Sequence, residues 1–217
     1  MSFNTRVWTR DKFPWNPNWW IKRYLAIRKM IKRQSPDIIC FQEVEFPSNI
    51  ILVPNGYKRI GFKLTEHPIY VKRGMNVSKY IDEERWCTAE VDGVVVVNTH
   101  PWWYDGYLYN NIQAINSTRT ESMANNIPTV ICGDFNATLQ DIESTAALYA
   151  KSVRKMLGIN EDGYTYKSWE EPNKELTIDH FFVSSIVPKE YYMLDNHSLD
   201  SNLLMSDHYP IVIDFDK

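Results

Sequence analysis

Val130-Ile131-Cys132-Gly133-Asp134-Phe135-Asn136-Ala137 is the stretch whose reading decides the fold. A short apolar run behind Pro128 fits a strand buried on both faces. Gly133 is expected to let the chain turn sharply. Asp134 and Asn136, as alternate residues of an extended backbone, are expected to emerge on one side. An uncompensated buried carboxylate is costly, so one placed at the end of such a strand implies a cation or hydrogen bonds waiting for it. The plainer alternative is that Asp134 caps the next helix.

Outward from this stretch, apolar strands keep ending in chemistry-bearing residues. Before it, Val94-Val-Val-Val-Asn-Thr runs into His100, followed by Pro101-Trp102-Trp103, and Leu108, Ile112, Ile115 and Met123 mark a helix to about Asn125. After it, Ile142, Ala146, Tyr149 and Val153 predict a third helix closed by Gly158. The run Leu176–Val183 is a strand interrupted by Asp179. A strand near 190–194 follows, and Asp207-His208 stands immediately before a last apolar strand. At the other end, Ser2–Arg6 reads as a short strand with Asn4 and Arg6 on one face. Trp20, Tyr24, Ile27 and Ile31 recur at helical spacing and predict a helix over 19–33, capped by Asn16 or Asn18. The opposite face carries Lys22, Arg23, Arg28, Lys29, Lys32 and Arg33 and is read as solvated. Asp37–Val44 is a second buried strand ending in Gln42-Glu43, and Pro47 marks a loop. From Tyr57 to His100 the alternation predicts an antiparallel meander, with Asp92-Gly93 as a two-residue hairpin.

The 217 residues, 44% hydrophobic and 14% aromatic, suit one folded domain over 1–217 rather than disorder. A formal net charge of −3 is not that of a dedicated nucleic-acid binder. Cys40, Cys87 and Cys132 are widely spaced and read as small buried core residues, not a disulfide framework or zinc site. No run reaches the length that spans a bilayer and no secretory signal is visible, so a cytoplasmic setting is expected. A monomer is expected as well.

Asn4, Glu43, His100, Asp134, Asn136, Asp179, Asp207 and His208 therefore share a position at the edges of apolar strands. If the strands lie in packed sheets, these ends can meet on one rim. Oxygen donors such as Glu43, Asp207 and Asn4 suit a hard cation, Mg²⁺ or Mn²⁺. Two histidines and the Asp/Asn pair supply groups to orient water, neutralise an oxyanion and protonate a leaving group.

Taken in order, Ser2-Phe-Asn-Thr-Arg6, Phe41-Gln-Glu-Val44, Asn98-Thr-His100, Gly133-Asp-Phe-Asn136, Ile178-Asp-His180 and Ser206-Asp-His208 resemble the endonuclease/exonuclease/phosphatase superfamily. The resemblance runs from the first strand to the last. It implies an α+β fold, a four-layer α/β/β/α sandwich of two mainly antiparallel sheets flanked by helices, with the site at one end. It implies Glu43 as principal metal ligand supported by Asn4 and Asp207. It also implies Asp134 with Asn136 as the water-activating pair, His208 on the phosphoryl group oriented by Asp179, and His100 at the phosphate or leaving oxygen. Two positions depart from common family patterns: Arg6 stands where abasic-site endonucleases carry an Asp, and His180 stands where an aromatic is usual. The expected activity is Mg²⁺- or Mn²⁺-dependent phosphodiester hydrolysis on DNA or RNA. Arg6, Arg10 and Lys12 are the basic residues near the site, and Trp102 and Trp103 are the candidate stacking residues. Alternatives are a small or lipid-linked phosphate as substrate, with Trp102 and Trp103 at a membrane interface, and a non-catalytic binding module.

Overall fold

The computed structural model describes residues 1–6, 19–44, 52–61, 66–102, 106–145, 148–160, 163–171, 173–197 and 204–216, leaving aside the side chains at 19–20 and 118–124. Arg10, Lys12, Asn16, Asn18, Pro47, Trp103 and Ala146 lie outside the described residues, as do the side chains of Trp20 and Met123.

Fourteen strands and four helices follow in the order β1 (Ser2–Asn4), α1 (Trp19–Gln34), β2 (Ile38–Gln42), β3 (Tyr57–Ile60), β4 (Ile69–Lys72), β5 (Val77–Asp82), β6 (Trp86–Val91), β7 (Val94–Thr99), α2 (Tyr107–Ala124), β8 (Thr129–Asp134), α3 (Leu139–Thr145), β9 (Lys151–Ser152), α4 (Val153–Met156), β10 (Tyr166–Lys167), β11 (Glu175–Leu176), β12 (Asp179–Ser184), β13 (Val187–Met193) and β14 (Ile211–Asp216) among the described residues. One six-stranded sheet has the order β13-β14-β1-β2-β4-β3. The other has β5-β6-β7-β8-β12-β9, and β10-β11 form a separate hairpin. All pairings are antiparallel except β1 with β2 and β7 with β8.

The two sheets pack face to face through Cys40, Ile69, Val71, Cys87, Val96, Val130, Cys132, Phe181 and Ile211. The period of two along each strand sends alternate residues to the outer faces, where helices cover them. Tyr24, Ile27, Met30 and Ile31 of α1 lie on Phe3, Ile39 and Phe41. Ile112 and Ile115 of α2, with Leu139 and Ile142 of α3, lie on Val97, Ile131 and Phe182. Helix, sheet, sheet, helix is the expected four-layer arrangement. No described helix is long and apolar enough to cross a membrane.

The structure revises several local readings. The meander is divided: β3 and β4 join the first sheet, while β5, β6 and β7 join the second. The helix expected from Ile142 to Val153 is broken. It stops at Thr145, Lys151 and Ser152 near its far end are drawn into β9 on the open edge of β12, and Ser152 then caps the one-turn α4. The basic face of α1 is solvated at Lys22, Lys29, Lys32 and Arg33, whereas Arg28 is half-buried with its guanidinium on the Val53 carbonyl and Arg23 is fully buried. Gly133 makes no turn. It lies inside β8 beside Thr99 of β7, and a Cβ there would stand 1.9 Å from the Thr99 carbonyl oxygen. Glycine is required by this close approach and by its φ of 151°. Asn136 is not on extended backbone either, because the strand ends at Asp134 and Asn136 is left-handed with φ 50°.

Candidate active site

Parallel pairing brings the C-terminal ends of β1 and β2, and of β7 and β8, side by side. The antiparallel register of β12 then sets Asp179 directly opposite Asp134. Asn4, Glu43, His100, Asp134, Asp179, Asp207 and His208 consequently converge on one end of the sandwich. All except the half-buried His100 are buried, from fully enclosed Asn4 to 7% exposed Glu43.

Asn4 is the joint between the sheets. Its Nδ2 donates to Glu43 Oε1 at 3.1 Å and to Asp134 Oδ2 at 2.9 Å, and its Oδ1 accepts from the Arg6 backbone N–H at 2.9 Å. Glu43 and Arg6 both adopt left-handed backbone, with φ 57° and 54°. Such conformations are uncommon for non-glycine residues and persist where surrounding contacts enforce them.

Asp134 is the centre of the second group. Its Oδ1 accepts from the Asn136 N–H at 2.7 Å, while Oδ2 lies 3.7 Å from His100 Nε2 and 3.5 Å from His208 Nε2. Burial raises the Asp134 carboxyl above its ordinary range, although the neighbouring His208 works against that rise. Asn136 adds its backbone to Asp134, but its side chain turns away and donates to the Pro101 carbonyl at 3.0 Å. It thereby ties the chain that follows His100.

His208 Nδ1 lies 2.9 Å from Asp179 Oδ2, which leaves Nε2 facing Asp134. Burial disfavours its charge, but the Asp179 and Asp134 carboxylates outweigh burial and hold it well above the usual imidazole range. Burial instead lowers His100, against the pull of Asp134 and Glu43. His100 Nε2 is 3.8 Å from Glu43 Oε1, and its Nδ1 has no hydrogen-bond partner among the described residues. His180 faces away from this centre. Its Nε2 meets the Ala137 carbonyl at 3.0 Å, its ring packs on Phe135, and burial holds it down at about 4, so it serves the core.

Two groups have donor atoms close enough together to hold a cation: Glu43, His100 and Asp134, and also Asp134, Asp179 and His208. Carboxylate oxygens dominate both, which fits a hard divalent ion in the first group. Asp207 belongs to neither group among the described residues. Its Oδ2 is bonded by Arg6 Nη1, and Arg6 Nη2 lies 3.8 Å from Glu170 Oε1 with the guanidinium 4.6 Å above the Trp169 ring. Trp102 is half-buried, and the Arg85 guanidinium stacks 3.3 Å from its ring centre. Together with Tyr107, Asn110 and Asn111 they line a cavity of about 200 Å³ beside His100.

Several supporting residues are given no part in the site by the sequence, although Asn98 stands in one of the family-like motifs and Arg23 lies on the face expected to be solvated. Thr165 Oγ1 accepts from the Ile178 and Asp179 N–H groups and so fixes the start of β12. The Tyr166 ring lies 4.9 Å from that of His208. Asn98 reaches across the sheets to the Phe41, His67 and Pro68 carbonyls and accepts from Gln42. Arg23 donates to the Thr5, Arg6 and Met205 carbonyls beneath the site. A buried polar residue in an otherwise apolar run, as with Asn98, is the one indication of this kind a sequence can offer.

The fold is shared with solved structures. A humanized D. rerio TDP2 carrying 14 mutations superposes with TM-score 0.78 at 16% identity, covering 100% of this chain and 97% of that one. A mannosyl-6-phosphatase of Bacteroides thetaiotaomicron gives 0.78 at 18%, covering 100% and 98%. An endonuclease/exonuclease/phosphatase from Bacteroides vulgatus gives 0.78 at 20%, covering 99% and 97%. No curated protein matches the sequence. Residues 15–208 match the Endonuclease/Exonuclease/phosphatase family, and with nearly the whole chain inside that match, this protein is a member of the family and a phosphoester hydrolase.

Proposed function

We propose that the protein is a Mg²⁺- or Mn²⁺-dependent phosphodiesterase acting on nucleic acid. The observation that carries this reading is the surroundings of Asp134, a buried carboxylate with Asn4, His100 and His208 all turned toward one oxygen and Glu43 joined to it through Asn4. A divalent cation held by Glu43 would neutralise the developing charge on the phosphoryl oxygens. Asp134, its carboxyl raised toward neutrality, takes the proton of the attacking water, a role that a pKa nearer the working pH favours. The Asn136 N–H fixes the other Asp134 oxygen, so the lone pair used is defined. His208, charged and oriented by Asp179, presents Nε2 to the phosphoryl group in its flight across the site. His100 stands at the leaving oxygen. A monomeric, single-domain enzyme in a cytoplasmic setting is part of the same reading, and the free, buried Cys40, Cys87 and Cys132 agree with that setting.

Nucleic acid as substrate is supported by the D. rerio TDP2 neighbour solved with a single-strand DNA product. A second reading, a small phosphorylated molecule, draws on two observations: Glu83 and Glu84 border the cavity beside His100, and one structural neighbour is a mannosyl-6-phosphatase. The test is a screen of the purified chain with Mg²⁺, Mn²⁺ or chelator against single-stranded DNA, duplex DNA, RNA, sugar phosphates, inositol phosphates and sphingomyelin. Metal-dependent cleavage of a polynucleotide, abolished by Glu43→Gln, is expected. Cleavage confined to sugar or inositol phosphates would replace the first reading by the second, and undiminished activity in chelator would overturn both.

A further inference from the structure

Two of the three buried cysteines face each other across the sandwich, and the hydrogen bonds around them fix the arrangement. Cys40 of β2 pairs laterally with Ser2 of β1, and Cys132 of β8 pairs laterally with Asn98 of β7. Gln42 lies two residues beyond Cys40 and so on the same face of β2. It donates to Ser2 Oγ at 3.1 Å and, across the sheets, to Asn98 Oδ1 at 2.6 Å. The Ser2 hydroxyl in turn bonds the Cys132 sulfur, which also interacts with the sulfur of Cys40. Cys87 is placed differently, with its Sγ donating to the His67 carbonyl at 3.1 Å.

Buried thiols are ordinarily inert, because no reagent reaches them. Here, however, Cys40 and Cys132 both line a cavity of about 310 Å³. It lies between the sheets at the end away from Glu43 and Asp134, where β2 begins at Ile38 and β7 at Val94. Val96, Val130, Phe181 and Ile213 form apolar walls, and exposed Ser35, Asp37 and Asp214 border the mouth. That volume is at the small end of ligand pockets and well above what one water needs. Burial opposes ionisation of Cys132, yet hydrogen bonds from Cys40 and Ser2 draw its thiol below the ordinary value. Cys40, bonded to Cys132 and buried, is held well above it. The pair is thereby divided into a nucleophile and a proton-bearing partner.

We propose that Cys40 and Cys132 form an oxidisable dithiol, reached through this cavity by a small hydroperoxide and closed to a disulfide between the sheets. The Cys132 sulfur attacks one peroxide oxygen, the O–O bond breaks, and the other oxygen leaves as water or alcohol with the Cys132 proton. Cys132 is left as a sulfenic acid. The Cys40 sulfur then attacks the Cys132 sulfur, the S–O bond breaks, and water leaves with the Cys40 proton. Two thiols have lost two electrons and two protons, and the hydroperoxide has gained them. Cys40 stands three residues before Glu43 and Cys132 two before Asp134, so the bond forms directly behind both acids. The inference concerns thiol chemistry and holds for any substrate of the hydrolase.

The test exposes the reduced, folded chain to a few equivalents of tert-butyl hydroperoxide, quenches it in denaturant with N-ethylmaleimide, and maps peptides without reductant. Expected are the loss of two alkylatable thiols, a linked Cys40–Cys132 peptide, an intact Cys87 thiol, and recovery of all three thiols in dithiothreitol. Cys40→Ser is expected to stop at a sulfenic acid on Cys132 that dimedone traps, and Cys132→Ser to oxidise about tenfold more slowly or less. Val96→Phe fills the cavity and is expected to slow the reaction with both thiols in place. Val96→Ile is the milder filling variant if the first does not fold. Oxidation shared equally by Cys87, a linkage between chains, no thiol loss in the folded protein, or an undiminished rate in the folded filling variant would each overturn the proposal. So would a rate that climbs in step with unfolding in sub-denaturing urea, because the thiols would then be reached by opening of the fold and not through the cavity.

Discussion

Each sheet contains one parallel strand pair at its centre with a helix crossing over it: β1-α1-β2 in one sheet and β7-α2-β8 in the other. The two units point the same ends at the active centre but are anchored by different physics. In the first, the ends are held by charge. Arg23 in α1 is fully enclosed and donates to three backbone carbonyls, and Arg6 is clamped between Asp207 and Glu170. In the second, the ends are held by contact. Gly133 allows β8 to press on the Thr99 carbonyl, Ile112 and Ile115 seal the helix with apolar packing, and Asn111 adds one neutral hydrogen bond by accepting from Thr99 Oγ1. The polar unit contributes Asn4 and Glu43, and the closely packed unit contributes His100 and Asp134. Two carboxylates of the candidate site, Glu43 and Asp134, thus arrive on supports that fail in different ways.

The largest effect should come from Asp134 of the closely packed unit and from His208, which faces it across the site. Asp134→Asn and His208→Ala are each expected to reduce kcat/KM by about 10²–10⁴-fold, the scale of general acid–base terms. The double variant should lose little more than the worse single one, because both act on one phosphoryl centre. A double loss equal to the product would assign the two residues to separate sites.

Next comes the anchor of the polar unit. Arg23→Met leaves the Thr5, Arg6 and Met205 carbonyls without their buried donor, at about 1–3 kcal/mol for an unsatisfied group. Urea unfolding should show a loss of that order or more, and Mn²⁺ affinity should fall with it. Unchanged stability would mean that the charge of Arg23 contributes nothing to holding the first unit.

The matching test of the other unit is Gly133→Ala, where the added methyl meets the Thr99 carbonyl. Overpacking of this kind costs about 1–3 kcal/mol. Since His100 follows Thr99 directly, kcat should drop as well, whereas Ile112→Ala should cost stability with kcat retained. Parallel losses of activity in both variants would erase the distinction between site-bearing contact and plain core.

A smaller effect is the pH shift in Asp179→Asn. The His208 imidazolium exists below its raised pKa and is lost as pH rises through it, together with the stability its pairing contributes. Removing the Asp179 carboxylate lowers that pKa, so the alkaline limb of kcat/KM should move to lower pH by about one unit or more. The acid limb, set by Asp134, should move less. An alkaline limb that stays in place would take His208 out of the pH profile.

The smallest effect is expected at Trp102→Ala. The ring already carries the Arg85 guanidinium on one face, a stack worth about 0.5–1 kcal/mol at a partly exposed position. The variant should raise KM for an oligonucleotide a few-fold and leave a small chromogenic phosphodiester unaffected.

What the sequence by itself determined is the set of strand ends. An apolar run that stops at an acid, an amide or a histidine announces itself, because residues of both kinds obey local rules of burial, and seven of the eight such residues named from the sequence meet at one end of the sandwich. Only the tertiary structure decided how they pair. Gly133 reads as a turn in isolation and is in fact the point where two strands touch. Arg23 sits on a face of α1 that periodicity assigns to water, yet three carbonyls from distant segments draw it inside. Ile142 to Val153 carries a helical pattern, and the open edge of β12 draws Lys151 and Ser152 near its end into a strand. Asp207 and Arg6 are 201 positions apart, and no local rule couples them. Propensity and periodicity act over a few residues, whereas burial and ionic pairing are settled by whatever the fold brings alongside, which is why the strand-end residues that gather at the candidate site could be named from the sequence and their contacts could not.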